Sequence, residues 1–136
     1  MSLTLDLMKR RYDGHPVNNF ERMFCHLMDM GDKKDIKSVD AFIWVSCGSS
    51  GKGCLCVNLN RSGAKDVHVC HDQISMPVVT LKGVSSLVLD DSGWLGVYNG
   101  VYLIAGTCGP FDLRAEVMYD DNRREYLKME DWKDES

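Results

Sequence analysis

The chain has 136 residues, 44% of them hydrophobic and 26% charged, with a net charge of −4. That length suits a single globular domain, residues 1–136, with a core large enough to need no staples. The acidity is concentrated late, with five cations against nine carboxylates over residues 112–136, so direct sequence-specific nucleic-acid binding is not expected. No run approaches the ~18 apolar residues of a membrane span. The first residues also lack the basic start and unbroken apolar stretch of a secretory signal. Six cysteines without such a signal point to a reducing compartment, free thiols and cytoplasmic residence.

Leu3, Leu5 and Leu7 alternate with polar residues and predict a first strand with one buried face. Lys9, Arg10 and Arg11 follow as the most concentrated basic spot in the chain, and Asp13-Gly14 with Pro16 marks a turn. Asn18 or Asn19 then caps a helix whose apolar stripe is Phe20, Met23, Phe24, Leu27 and Met28, with Gly31 as its stop. The apolar run 41–45 predicts a central strand covered on both faces. Gly48 to Gly53 lacks the G-x4-G-K-[ST] spacing of a phosphate loop and is followed by a strand pattern, so it reads as a hairpin loop.

Residues 54–60 and 66–71 read as the two strands of a hairpin. Leu55, Val57 and Leu59 share one face of the first, and Val67 and Val69 one face of the second. Merging these apolar faces sets Val57 opposite Val69, Cys56 opposite Cys70 and His68 opposite Asn58. Cys54, Cys56, His68 and Cys70 then share the other face, a soft donor set that suits zinc as a tetrahedral Cys3His site. Two plainer readings stand beside zinc. Thiols pack as small hydrophobes in a sheet covered on both sides, which is the reading with most weight, and Cys56 with Cys70 is a candidate cross-strand disulfide. The spacing C-x-C then H-x-C-H is not the paired C-x2-C of zinc knuckles.

Short strands are expected near 78–81 and 87–89, with a turn at Asp90 to Gly93. Asn99-Gly100, between residues 94–98 and 101–104, predicts a hairpin with a type I′ turn. Phe111, Leu113, Ala115, Val117 and Tyr119 alternate with polar residues and Met118, giving a last strand with one wet face. Tyr126, Met129 and Trp132 recur every three residues and predict a short terminal helix, docked on the domain or offered to a partner. The fold class expected is α+β: a twisted, mostly antiparallel sheet packed on one main helix, with a short C-terminal helix.

Catalytic patterns do not assemble. There is no G-x-S-x-G elbow and no H-E-x-x-H, and the Asp90-Asp91 and Asp120-Asp121 pairs fall where Asp favours turns. The expectation is a non-enzyme, with a thiol-dependent enzyme using Cys54, Cys56 or Cys70 as the one enzymatic alternative.

The strand at residues 3–7, the basic turn 9–11, the helix from Asn19 and Ala41-Phe-Ile-Trp-Val-Ser-Cys-Gly-Ser-Ser50 fall in a distinctive order. With Leu95-Gly-Val-Tyr-Asn-Gly100 and Glu116-Val-Met-Tyr-Asp-Asp121, that order resembles the globular domain of rhabdovirus matrix proteins. The resemblance implies a viral structural protein that self-associates, links the nucleocapsid to the envelope, and resides in host cytoplasm and virion. It implies a lipid- or nucleocapsid-facing role for Lys9, Arg10 and Arg11, with an anionic membrane surface as one partner. The rival reading is a small cytosolic interaction domain stabilised by zinc.

Overall fold

The computed structural model describes residues 2–46, 51–60, 66–71 and 78–133. In chain order the elements are β1 (Leu3–Asp6), β2 (Arg11–Asp13), α1 (Asn19–Met30), β3 (Ile36–Ser46), β4 (Lys52–Asn58) and β5 (Val67–His71). There follow β6 (Val79–Leu81), β7 (Ser86–Leu89), β8 (Trp94–Asn99), β9 (Tyr102–Cys108), β10 (Asp112–Tyr119) and β11 (Arg124–Lys128). The α+β class and the dominance of antiparallel sheet follow the sequence pattern. The strands, however, divide between two sheets, ordered β2-β1-β7-β8-β9 and β11-β10-β3-β4-β5-β6.

Alternation explains why the two sheets share one core. Leu3 and Leu5 of β1, Leu87 and Leu89 of β7, and Leu95 and Val97 of β8 turn inward from the first sheet. Val39, Ala41 and Ile43 of β3, Leu55 and Val57 of β4, and Leu113, Ala115 and Val117 of β10 turn inward from the second. Each strand keeps its polar residues outside, so a slip of one residue would exchange the faces. Run 41–45 lies on the central strand β3, but it is covered fully on one face only: Phe42 and Trp44 remain half-buried.

Helix α1 packs on β3 and β10 through the stripe read from its spacing, with Met23, Phe24, Leu27 and Met28 all buried. Asn18 is its N-cap, and its side chain accepts from the Glu21 N–H at 2.9 Å. Glu21 returns the interaction, its carboxylate accepting from the Asn18 side chain at 2.8 Å and the Val17 N–H at 3.3 Å. Such a cap stabilises a helix by about 1 kcal/mol. Gly31 ends the helix, but with right-handed backbone. Its need for glycine is steric: a Cβ there would collide with the Leu59 carbonyl and the Arg10 guanidinium.

Two further expectations change. Residues 124–128 do not begin a helix but form β11, pairing with β10 so that Leu127 faces inward and Tyr126 outward. The backbone of this segment gains a full ladder with β10, which a one-turn helix lacks. The chain then folds into a turn, with the Trp132 N–H on the Lys128 carbonyl at 3.0 Å. In the β8–β9 hairpin Asn99 pairs with Tyr102, so Gly100 and Val101 form the loop and only Gly100 (φ 61°) takes a positive φ. That suits a turn with glycine first rather than Asn-Gly. The hairpin loop expected at 48–53 falls partly, and Cys47 and the connection through Pro77 wholly, outside the described residues.

Candidate functional site

The outer face of the second sheet gathers three of the chain's six cysteines. β4 runs between β3 and β5, and its pairings set Cys54 opposite Trp44 and Cys70, and Cys56 opposite Phe42 and His68. The expected parity holds: Leu55, Val57, Val67 and Val69 face inward, and Cys54, Cys56, His68 and Cys70 share the outer side. The register differs by two residues, because Val57 pairs with Val67 rather than Val69. Cys70 therefore opposes Cys54, and its relation to Cys56 is diagonal.

Three sulfurs are in contact. Cys56 Sγ lies 3.9 Å from Cys54 Sγ and 3.9 Å from Cys70 Sγ. The middle thiol is the one best placed to carry a negative charge. The hydrogen bond with Cys54 holds Cys56 down to about 6, against the opposing effect of burial, and Cys70 and the nearby His68 add to the lowering. Cys54, 3% exposed, is pushed up, first by its hydrogen bond to Cys56 and then by burial. Cys70 is pushed up by burial and by the Cys56 charge. Asp40, which accepts from the Asn58 side chain at 3.0 Å, faces Cys56 as the unfavourable charge.

His68 stands on the same face but turns toward the sheet margin, where its Nδ1 is 3.0 Å from the Thr80 hydroxyl. A tetrahedral zinc site needs four donors about 2.0–2.3 Å from one centre. Among the described residues no group of three or more Cys, His, Asp or Glu is gathered in that way. The Cys3His set is thus brought onto one face and, in this conformation, not drawn together around a point. Cys25, by contrast, is buried on α1 and raised to about 12 by burial, then by Asp29 and Glu21, which leaves it a packing residue.

The basic triplet divides. Lys9 and Arg11 are exposed, but Arg10 turns into the protein, its side chain 8% exposed. Its guanidinium donates to the Met28 carbonyl at 3.1 Å, to the Asn60 carbonyl at 2.9 Å and to Asp32 Oδ1 at 3.2 Å. Arg10 is therefore a latch between the end of α1 and the end of β4, not part of a surface patch. Its backbone has φ 60°, which aims the side chain inward. The terminal trio divides as well. Met129 and Trp132 pack against the core, with the Trp132 ring tilted 43° to that of His26 at 5.8 Å, while Tyr126 is 67% exposed on the outer face of β11.

A surface that periodicity did not reveal lies at the β8–β9 loop and on β9, the last strand of the first sheet. Val101, Tyr102, Leu103 and Ile104 are exposed in succession, Val101 by 87% and Tyr102 by 74%. A register shift between Val97 and Tyr98 inserts an extra residue in β9 and turns Leu103 to the outer face beside Tyr98. Closer to the base, the indole of Trp94 lies across the paired Gly96 and Gly106, where a Cβ on either would run into the ring. A cavity of about 290 Å³ opens between the sheets here, lined in part by Val45, Leu55, Val69 and Val79 and, opposite, by Val97 and Ala105. The sequence signal for this surface was the absence of any charge from Gly100 to Phe111.

No helix among the described residues is long and apolar enough to cross a membrane. Comparison of the chain with protein-family models, with curated proteins and with solved structures returns no match.

Proposed function

We propose that this chain is a non-enzymatic structural protein of the rhabdovirus matrix type, whose principal activity is association with further copies of itself. The observation that carries the reading is the exposed, uncharged edge formed by the loop residue Val101 and Tyr102 to Ile104 of β9. Natural sheets blunt their edges with lysine, proline or a covering element, and an edge without these favours pairing with another strand. A second copy is the fitting occupant, because a two-fold contact sets the same strand against itself. A charged strand would meet like charge across such an axis, whereas this one meets only uncharged side chains.

One edge closes a dimer, and a layer needs a second contact. Val78 and Val79, exposed at the start of β6, supply an apolar edge on the second sheet, where Val79 borders the same cavity as Ala105 of β9. In this reading the remaining partners are the viral nucleocapsid and, secondarily, an anionic membrane surface. The two exposed cations of the triplet, Lys9 and Arg11, contribute only about 1 kcal/mol each near such a surface. Lipid contact is then auxiliary to self-association.

Sedimentation velocity over a wide concentration range tests the proposal. The wild-type chain is expected to form dimers and larger species, and Leu103→Lys to stay monomeric with stability changed by no more than about 0.5 kcal/mol. A wild-type chain that stays strictly monomeric at high concentration and binds neither nucleocapsid nor anionic liposomes sinks the reading.

A further inference from the structure

We propose that Cys54, Cys56 and Cys70 form a peroxide-responsive thiol site, in which Cys56 is oxidised first and Cys70 resolves it to a reversible Cys56–Cys70 disulfide across β4 and β5. Self-association through β9 makes no use of this face, so the site is a second property of the chain.

The geometry assigns the three roles. Cys56 is half-buried, open to a molecule as small as hydrogen peroxide, and its sulfur has a thiol neighbour on each side at 3.9 Å. Cys54 is closed off from solvent, and its sulfur lies against Cys56 rather than meeting oxidant itself. It is a positioning residue. Cys70 is also half-exposed and lies in β5, a five-residue strand near the sheet margin with only the three-residue β6 beyond it. Phe42 and Trp44 stand opposite the two β4 cysteines and wall the site on the β3 side.

The chemistry balances with hydrogen peroxide as the named oxidant. The Cys56 thiolate attacks one peroxide oxygen, the O–O bond breaks, and sulfenic acid forms with release of hydroxide, which takes up a proton as water. The Cys70 thiol then attacks the Cys56 sulfur, and the new S–S bond forms as the S–O bond breaks. The hydroxyl leaves with the Cys70 proton as a second water. Two thiols lose two electrons in total, and one peroxide gains them.

Register sets the character of the product. Diagonal neighbours on an antiparallel pair have Cα atoms roughly 7–8 Å apart, beyond the ~4.4–6.8 Å of relaxed disulfides. Closing the bond therefore draws β5 along β4. A bond closed under such strain is easily reduced, which suits a reversible modification better than a structural cross-link.

The full-length reduced protein treated with hydrogen peroxide, then digested without reductant, gives the test by peptide mass mapping. The expected product joins Cys56 to Cys70, with two hydrogens lost, and reverts on addition of a dithiol. In Cys70→Ser the reaction is expected to halt at a Cys56 sulfenic acid that a cyclic dione traps. Cys56→Ser is expected to slow peroxide consumption about tenfold or more, since the thiolate is the attacking form. The exposed Cys108 serves as comparator within the same molecule. Oxidation of Cys108 as fast as Cys56, a product linking Cys54 to Cys70, or one tightly bound zinc per chain that shields the thiols would each overturn the proposal.

Discussion

The β4–β5 and β8–β9 hairpins are both antiparallel and both lie toward the same side of the molecule, yet they are built on different principles. β4–β5 turns its apolar residues inward and collects polarisable side chains outside. Its strand β4 is held at the far end by Asn60, whose side chain accepts from the Val39 N–H at 2.7 Å and whose carbonyl accepts from Arg10. β8–β9 is held by its own residues, through the Trp94 ring laid over Gly96 and Gly106, and ends in an apolar tip. The first hairpin presents chemistry on a face anchored from elsewhere. The second presents adhesion on an edge that is anchored locally.

Removing the remote anchor tests that contrast most severely. Arg10→Ala leaves the Met28 and Asn60 carbonyls without their charged donor and is expected to cost about 2–4 kcal/mol. Amide hydrogen exchange should quicken at the end of α1 and along β4, while β8 and β9 keep their protection. Uniform loss of protection across both hairpins would show that the anchor is not selective.

The local anchor is tested by Gly106→Val, which drives a branched side chain into the Trp94 ring. Overpacking of this kind costs about 1–3 kcal/mol. Near-ultraviolet circular dichroism of the tryptophans should change, and self-association should weaken as β9 shifts. Thiol reactivity on β4 should stay at the wild-type level.

The smallest effect is the pH dependence that Cys56 confers. Its folded value of about 6 lies below the ordinary 9.0, so between these the unfolded chain binds more protons and stability rises with pH. The contribution is complete above about 9 and is lost as pH falls through about 6. Above 9 the sign reverses, because Cys25, Cys54 and Cys70 keep their protons in the fold while the unfolded chain gives them up. Solvent screens a half-exposed thiolate, so the amplitude is small. Denaturant midpoints for wild type and Cys56→Ser, compared from pH 6 to 9, should diverge steadily as pH rises. A constant difference would mean that Cys56 carries no thiolate in the fold.

Much of the architecture was legible in the chain because alternation and helical spacing are local properties. Leu3, Leu5 and Leu7, the cap at Asn18, the stripe from Phe20 to Met28 and the wet-faced strand from Asp112 all follow from them. So does the shared face of Cys54, Cys56, His68 and Cys70, since parity alone places them together. Local patterns misled where two periods overlap. Tyr126, Met129 and Trp132 repeat every three residues, but only because a strand gives way to a turn between them.

What the tertiary structure alone decided is everything that depends on one segment meeting a distant one. Parity could not choose between Val57 opposite Val67 or Val69, and that two-residue step determines which cysteine opposes Cys70. Nor could composition separate Arg10 from Lys9 and Arg11, because three adjacent cations look alike until a helix end, a strand end and Asp32 converge on one of them. The edge at β9 is the same kind of fact. A strand's exposure is set by which strands lie beside it in the sheet, and that neighbourhood is fixed by packing across the whole chain.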